Sequence, residues 1–103
     1  MRQINNEQFD AEVLQSPEPV LVDFYTEECT PCRQLAHTLE EISAERVGRL
    51  KVVKVNAGHE TELATRFRVT TVPTLLLFRN GQCVAQRVGN AGKAQLSGWL
   101  DAN

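Results

Sequence analysis

The chain has 103 residues, 42% hydrophobic and 23% charged, with a formal net charge of -2. That length fits one domain, residues 1–103, around one core, and the composition is that of a globular protein. The near-balanced charge argues against a nucleic-acid surface, which would cluster Lys and Arg. The longest aliphatic run, Leu75-Leu76-Leu77-Phe78, is far too short for the roughly 20 residues of a membrane span. The opening Met-Arg-Gln-Ile-Asn-Asn-Glu has no apolar leader, so no export signal is expected and a cytoplasmic setting is. Three cysteines make a poor disulfide framework. In a reducing compartment a Cys-x-x-Cys is more often catalytic or metal-binding than structural.

Residues 2–5 predict a short strand. Asn5 and Gln8 match a capping box, and Phe9 and Val13 share a face of the helix it opens. Ser16-Pro17 ends that helix, because the residue before a proline avoids the α region. The run 19–25 is almost wholly apolar and reads as a strand buried on both faces, interrupted by Asp23. Residues 31–47 predict a long helix with Leu35, Leu39, Ile42 and Val47 as its inner stripe and Gly48 as its stop. Glu40, Glu41, Glu45 and Arg46 read as its solvated face. A strand is expected over 51–56, then a short helix over 60–67 with Leu63, Ala64 and Phe67 inside. Another strand covers 73–78, and Asn80-Gly81 is a strong hairpin signal leading into a strand over 83–88. A last helix, 93–101, carries Leu96, Trp99 and Leu100 as core. This order implies an α/β fold: a sheet with helices on both faces, three parallel strands joined by right-handed crossovers, then an antiparallel pair.

The chemistry-bearing stretch is Cys29-Thr30-Pro31-Cys32. Thiols three residues apart at a helix start lie on one face and can close a small disulfide. The partial positive charge of the helix N-terminus favours thiolate there. Pro31 suits the first helical position, where no N–H is needed. In open α/β sheets ligands bind at the carboxyl ends of parallel strands, which is where Cys29 falls. The competing reading is a zinc site, but that needs about four ligands and there is no second Cys-x-x-Cys.

Taken together, Val22-Asp23-Phe24, the Cys29/Cys32 pair, Lys54-Val55-Asn56, Val72-Pro73-Thr74-Leu75, Phe78-Arg79-Asn80-Gly81, Val88-Gly89, Leu96 and Leu100-Asp101-Ala102-Asn103 resemble the thioredoxin family over nearly the whole chain. A Cys-x-x-Cys near a strand–helix–strand pattern is the standard signal of that fold, and thioredoxin is the standard illustration of a depressed thiol pKa. The chain departs from the family's Trp-Cys-Gly-Pro-Cys with Glu28-Cys29-Thr30-Pro31-Cys32. Tyr25 stands for a usual Trp, His37 for a usual Pro, and Ala57-Gly58 follows Asn56 where an Asp is usual.

The resemblance implies a thioredoxin fold, a central five-stranded mixed sheet flanked by four helices. It implies a thiol–disulfide oxidoreductase that reduces protein disulfides through a mixed disulfide. Cys29 would be the exposed nucleophile and Cys32 the buried resolving thiol. Asp23 would accept the resolving thiol's proton, since burial raises a carboxyl pKa; a purely structural Asp paired with Lys54 is the alternative. Pro73 would be a cis-proline beside the dithiol, or else a plain strand-start proline. Thr71, Val72 and Gly89 would face substrate, the first two by strand addition. Glu28 would disfavour the neighbouring thiolate and remove an aromatic from the rim, or simply be solvated. Thr30 stiffens a turn that usually holds Gly. No bound cofactor is expected. Electrons would come from an NADPH-dependent flavoprotein thioredoxin reductase, and the protein would be a monomer. A binding scaffold with incidental thiols, or a more oxidising oxidase or isomerase, are the other classes. Cys83 alternates with Val84 and reads as core, with a regulatory thiol as the alternative. His37 reads as exposed on its helix, with tuning of Cys32 as the alternative, and His59 as a loop residue.

Overall fold

The computed structural model describes residues 1–103. The elements in chain order are β1 (Arg2–Gln3), α1 (Asn6–Phe9) running into a π-helical turn (Asp10–Leu14), β2 (Val20–Tyr25), α2 (Thr30–Glu45), β3 (Lys51–Asn56), α3 (Thr61–Arg66), β4 (Thr74–Arg79), β5 (Gln82–Val88) and α4 (Lys93–Ala102). The five strands form one mixed sheet in the order β1-β3-β2-β4-β5. β1 and β2 run parallel to β3, whereas β2 pairs antiparallel with β4, and β4 with β5. This is the expected thioredoxin-type arrangement, with β2 at its centre.

Two cores lie on opposite faces of the sheet. Phe9, Val13, Val20, Val22, Phe24, Val53, Val55, Leu63, Leu76 and Phe78 pack under α1 and α3. Leu21, Leu35, Leu39, Ile42, Val52, Leu75, Leu77, Leu96 and Leu100 pack under α2 and α4. Strand residues alternate between the two, as the pleat requires. That alternation puts Asp23 and Lys54 on the α2 side, and the β2–β3 register sets them next to each other.

Local signals account for most boundaries. Asn5 accepts a hydrogen bond from the Gln8 amide at 2.9 Å, and Gln8 Oε1 accepts from the Asn5 amide at 3.0 Å, closing the capping box. Asn80 and Gly81 both have positive φ, 52° and 79°, which matches the right-handed twist of the β4–β5 hairpin. The rings of Phe9, Phe67 and Phe78 meet pairwise at centroid distances of 5.2–5.7 Å, so the half-buried Phe67 still closes the core.

Three expectations need correction. Val47 is 78% exposed. α2 ends at Glu45, and the position four beyond Ile42 belongs to Arg46, so Val47 falls off the stripe. Cys83 is exposed rather than core. The ladder slips between Leu77 and Phe78, so Cys83 faces Phe78 while Ala85 faces Leu77; the two lie on opposite sides of an edge strand. Trp99 is half-buried, packed at the margin of the α2/α4 core rather than within it.

Candidate active site

β2 ends at Tyr25, and the chain turns through Thr26–Glu28 before α2 begins. The turn closes with the Cys29 amide donating to the Thr26 carbonyl at 3.4 Å. Cys29 itself is the helix N-cap: its φ and ψ, -82° and 106°, are extended, and its Sγ accepts from the Cys32 amide at 3.1 Å. Thr30 is therefore the first helical residue and Pro31 the second, one position later than expected. Both are orphan N–H positions, so the proline is tolerated equally well.

Cys29 and Cys32 are joined as a disulfide, with Cα atoms 5.2 Å apart. Cys32 is buried at 3% exposure, as expected. Cys29 is half-buried rather than open, because the segment before β4 lies against it: its Sγ is 3.9 Å from the Val72 carbonyl oxygen. The Val72–Pro73 bond is cis, and Pro73 is buried. Thr74 Oγ1 donates to the Thr71 carbonyl at 2.7 Å, and the Gly89 amide donates to the Pro73 carbonyl at 2.9 Å. Gly89 has φ +94°, a backbone region that a Cβ disfavours. The structure thus gathers Cys29, Cys32, Val72 and Pro73 at one end of the sheet, with Thr71 and Gly89 bonded around that proline.

Beneath the dithiol, Asp23, Tyr25, Thr26, Glu27, Cys32, Arg33, Ala36 and Lys54 line a cleft of about 130 Å³. Asp23 is 1% exposed and its Oδ1 has no hydrogen-bond partner. Burial pushes its carboxyl from 3.8 up to about 7, and the attraction of Lys54 opposes this without overcoming it. A carboxyl in that range exchanges a proton near neutral pH. The Lys54 ammonium also sits 5.4 Å from the centre of the Tyr25 ring, which lines the same cleft.

Glu28 is exposed and lines a second groove with Thr26, Glu27, Asn56, Gly58 and His59. His37 is on the exposed side of α2. Arg33 escaped the sequence reading. Its guanidinium donates to the Glu27 carbonyl at 2.7 Å and to Thr30 Oγ1 at 3.1 Å, bridging the turn across Cys29. The signal was a cation in the first helical turn, where the helix dipole disfavours one. No three His, Cys, Asp or Glu side chains are grouped to hold a metal ion, and no helix is long and apolar enough to cross a membrane.

The thioredoxin family model matches residues 1–102. Thioredoxin C-2 of Corynebacterium nephridii is 41% identical over 98 residues, 95% of this chain and 91% of that protein. Thioredoxin of Acidithiobacillus ferridurans is 41% identical over 99 residues, 96% of this chain and 92% of that protein. Thioredoxin of Pseudomonas aeruginosa is 38% identical over 100 residues, covering 97% and 93%. Likeness of this extent, over a Cys29–Cys32 pair within bonding distance, favours redox chemistry over a bare scaffold. The chain belongs to the thioredoxin family, as a thiol–disulfide oxidoreductase of the disulfide-reductase kind.

Proposed function

We propose that the protein reduces protein disulfides with Cys29 as nucleophile, Cys32 as resolving thiol and Asp23 as proton acceptor. In the reduced form the Cys29 thiolate attacks one substrate sulfur. A mixed disulfide forms and the first substrate thiolate leaves. Cys32 then gives its proton to the Asp23 carboxylate, directly or through water in the cleft, and its sulfur attacks Cys29 Sγ. The second substrate thiolate leaves, and the Cys29–Cys32 disulfide remains. Two electrons pass from the dithiol to the substrate. Lys54 keeps Asp23 from being protonated too tightly to act as a base.

The observation that carries this reading is the asymmetry of the pair. Cys29 is half-buried at a helix cap, whereas Cys32 is buried beside a carboxyl poised at about 7. Pro73 shapes the contact with Cys29, and the backbone of Thr71 and Val72, with Gly89, offers an extended substrate segment a strand-like edge. Thr30 and Pro31 stiffen the turn, and Glu28 biases partner choice at the rim. The whole span acts as a single domain and a monomer, without a bound cofactor. It is re-reduced in the cytoplasm by an NADPH-dependent flavoprotein thioredoxin reductase.

Insulin reduction by dithiothreitol tests the assignment. Cys29→Ser abolishes catalysis. Cys32→Ser stops after one attack and traps a mixed disulfide on Cys29. Trapping on Cys32 in the Cys29→Ser protein at a comparable rate would reverse the roles.

A further inference from the structure

Arg33 is in an unfavourable place unless something holds it there. A cation in the first turn of α2 opposes the helix dipole. Its contacts all return to one short segment. Its backbone amide donates to the Cys29 carbonyl at 3.2 Å, Nη1 to the Glu27 carbonyl at 2.7 Å, and Nη2 to Thr30 Oγ1 at 3.1 Å. Two different nitrogens of one planar fork are used at once, which a lysine ammonium does not reproduce. One acceptor lies two residues before Cys29 and the other one residue after it.

We infer that Arg33 is a positioning residue whose guanidinium straps the Glu27–Thr30 turn across Cys29, holding the reacting sulfur at the helix cap and favouring its thiolate. This rests on Cys29 being the nucleophile. The strap depends on Thr30: the Gly of the usual Trp-Cys-Gly-Pro-Cys has no side-chain acceptor to offer. Glu28, the other departure at the motif, stands in the same turn, which Arg33 reaches through the Glu27 backbone carbonyl. The charged groups around the dithiol are Glu27 and Glu28 on the turn, Arg33 on α2, Asp23 on β2 and Lys54 on β3; His59 shares the outer groove with Glu28. Arg33 is the only one of these cations bonded to the turn itself.

Titration of the Cys29 thiolate by ultraviolet absorbance tests this in the reduced protein, in Arg33→Met, Thr30→Val, the double variant, Thr30→Ser and Arg33→Lys. Both substituted residues are exposed, and circular dichroism checks each fold. Arg33→Met should lower the thiolate fraction at neutral pH about two- to fivefold, the size of one exposed charged contact. Thr30→Val should lower it in the same direction, and the double variant no further than Arg33→Met alone. Thr30→Ser should restore it, and Arg33→Lys should fall between. Unshifted or simply additive titrations overturn the strap. Alkylation of the wild-type protein locates the nucleophile separately. If it falls on Cys29 while the variants do not shift, only the strap fails; if it falls first on Cys32, both readings fail.

Discussion

The antiparallel pair β2–β4 has two ends that follow opposite rules. At one end Val20 pairs with Phe78, close to a hairpin whose Asn80 and Gly81 adopt the backbone it needs, and three phenylalanine rings close the core. At the other end Phe24 pairs with Thr74, and within a few residues lie a buried carboxyl whose Oδ1 has no hydrogen-bond partner and a sulfur pair at a helix cap. Preferences that specify a fold are met at the first end and set aside at the second. The candidate site lies at the second end.

The largest effect that would sharpen this contrast is at Asp23. The folded protein holds the Asp23 proton up to about pH 7, whereas the unfolded chain releases it near 3.8. Folding stability therefore falls as pH rises between those values and levels off above the upper one. Asp23→Asn should remove that slope and stabilise the protein at mildly alkaline pH by about 2–4 kcal/mol, while slowing resolution of the mixed disulfide. Urea unfolding on the acid and alkaline sides of neutrality checks it; a wild-type stability flat across the interval breaks the contrast.

The hairpin end should respond in the opposite sense. A Cβ on Gly81 would stand 2.9 Å from the Leu14 carbonyl oxygen, at φ +79°. Gly81→Ala should cost about 2 kcal/mol and leave disulfide reduction intact, read by thermal unfolding alongside turnover. A smaller change is expected from Glu28→Trp. Removing a carboxylate beside Cys29 should raise the thiolate fraction by less than about threefold at this exposed site. An unchanged thiolate titration removes that role for Glu28. Smallest is the response of Trp99. Its carbonyl accepts from Asn103, whose own carbonyl accepts from Arg79 at the hairpin end of β4. Reduction of the disulfide should barely alter its fluorescence, and a large change would show that the two ends communicate.

The sequence disclosed the β4–β5 turn through Asn80-Gly81 and the start of α1 through the capping box at Asn5, because both are local patterns. It disclosed the dithiol, Asp23 and Pro73 through their order along the chain. What it hid depended on neighbours distant in sequence or on a single-residue shift. Val47 was lost to where α2 stops, and Cys83 to a slip in the β4–β5 ladder. Cys29 is less open than expected because Val72 lies against it. Arg33 reads as an ordinary surface cation until the turn brings Glu27 and Thr30 within its reach.

The cap of α2 is a sulfur, not the usual side-chain oxygen. As a thiolate that atom is a stronger hydrogen-bond acceptor than as half of a disulfide. The Cys32 amide should therefore exchange with solvent more slowly in the reduced protein than in the disulfide form.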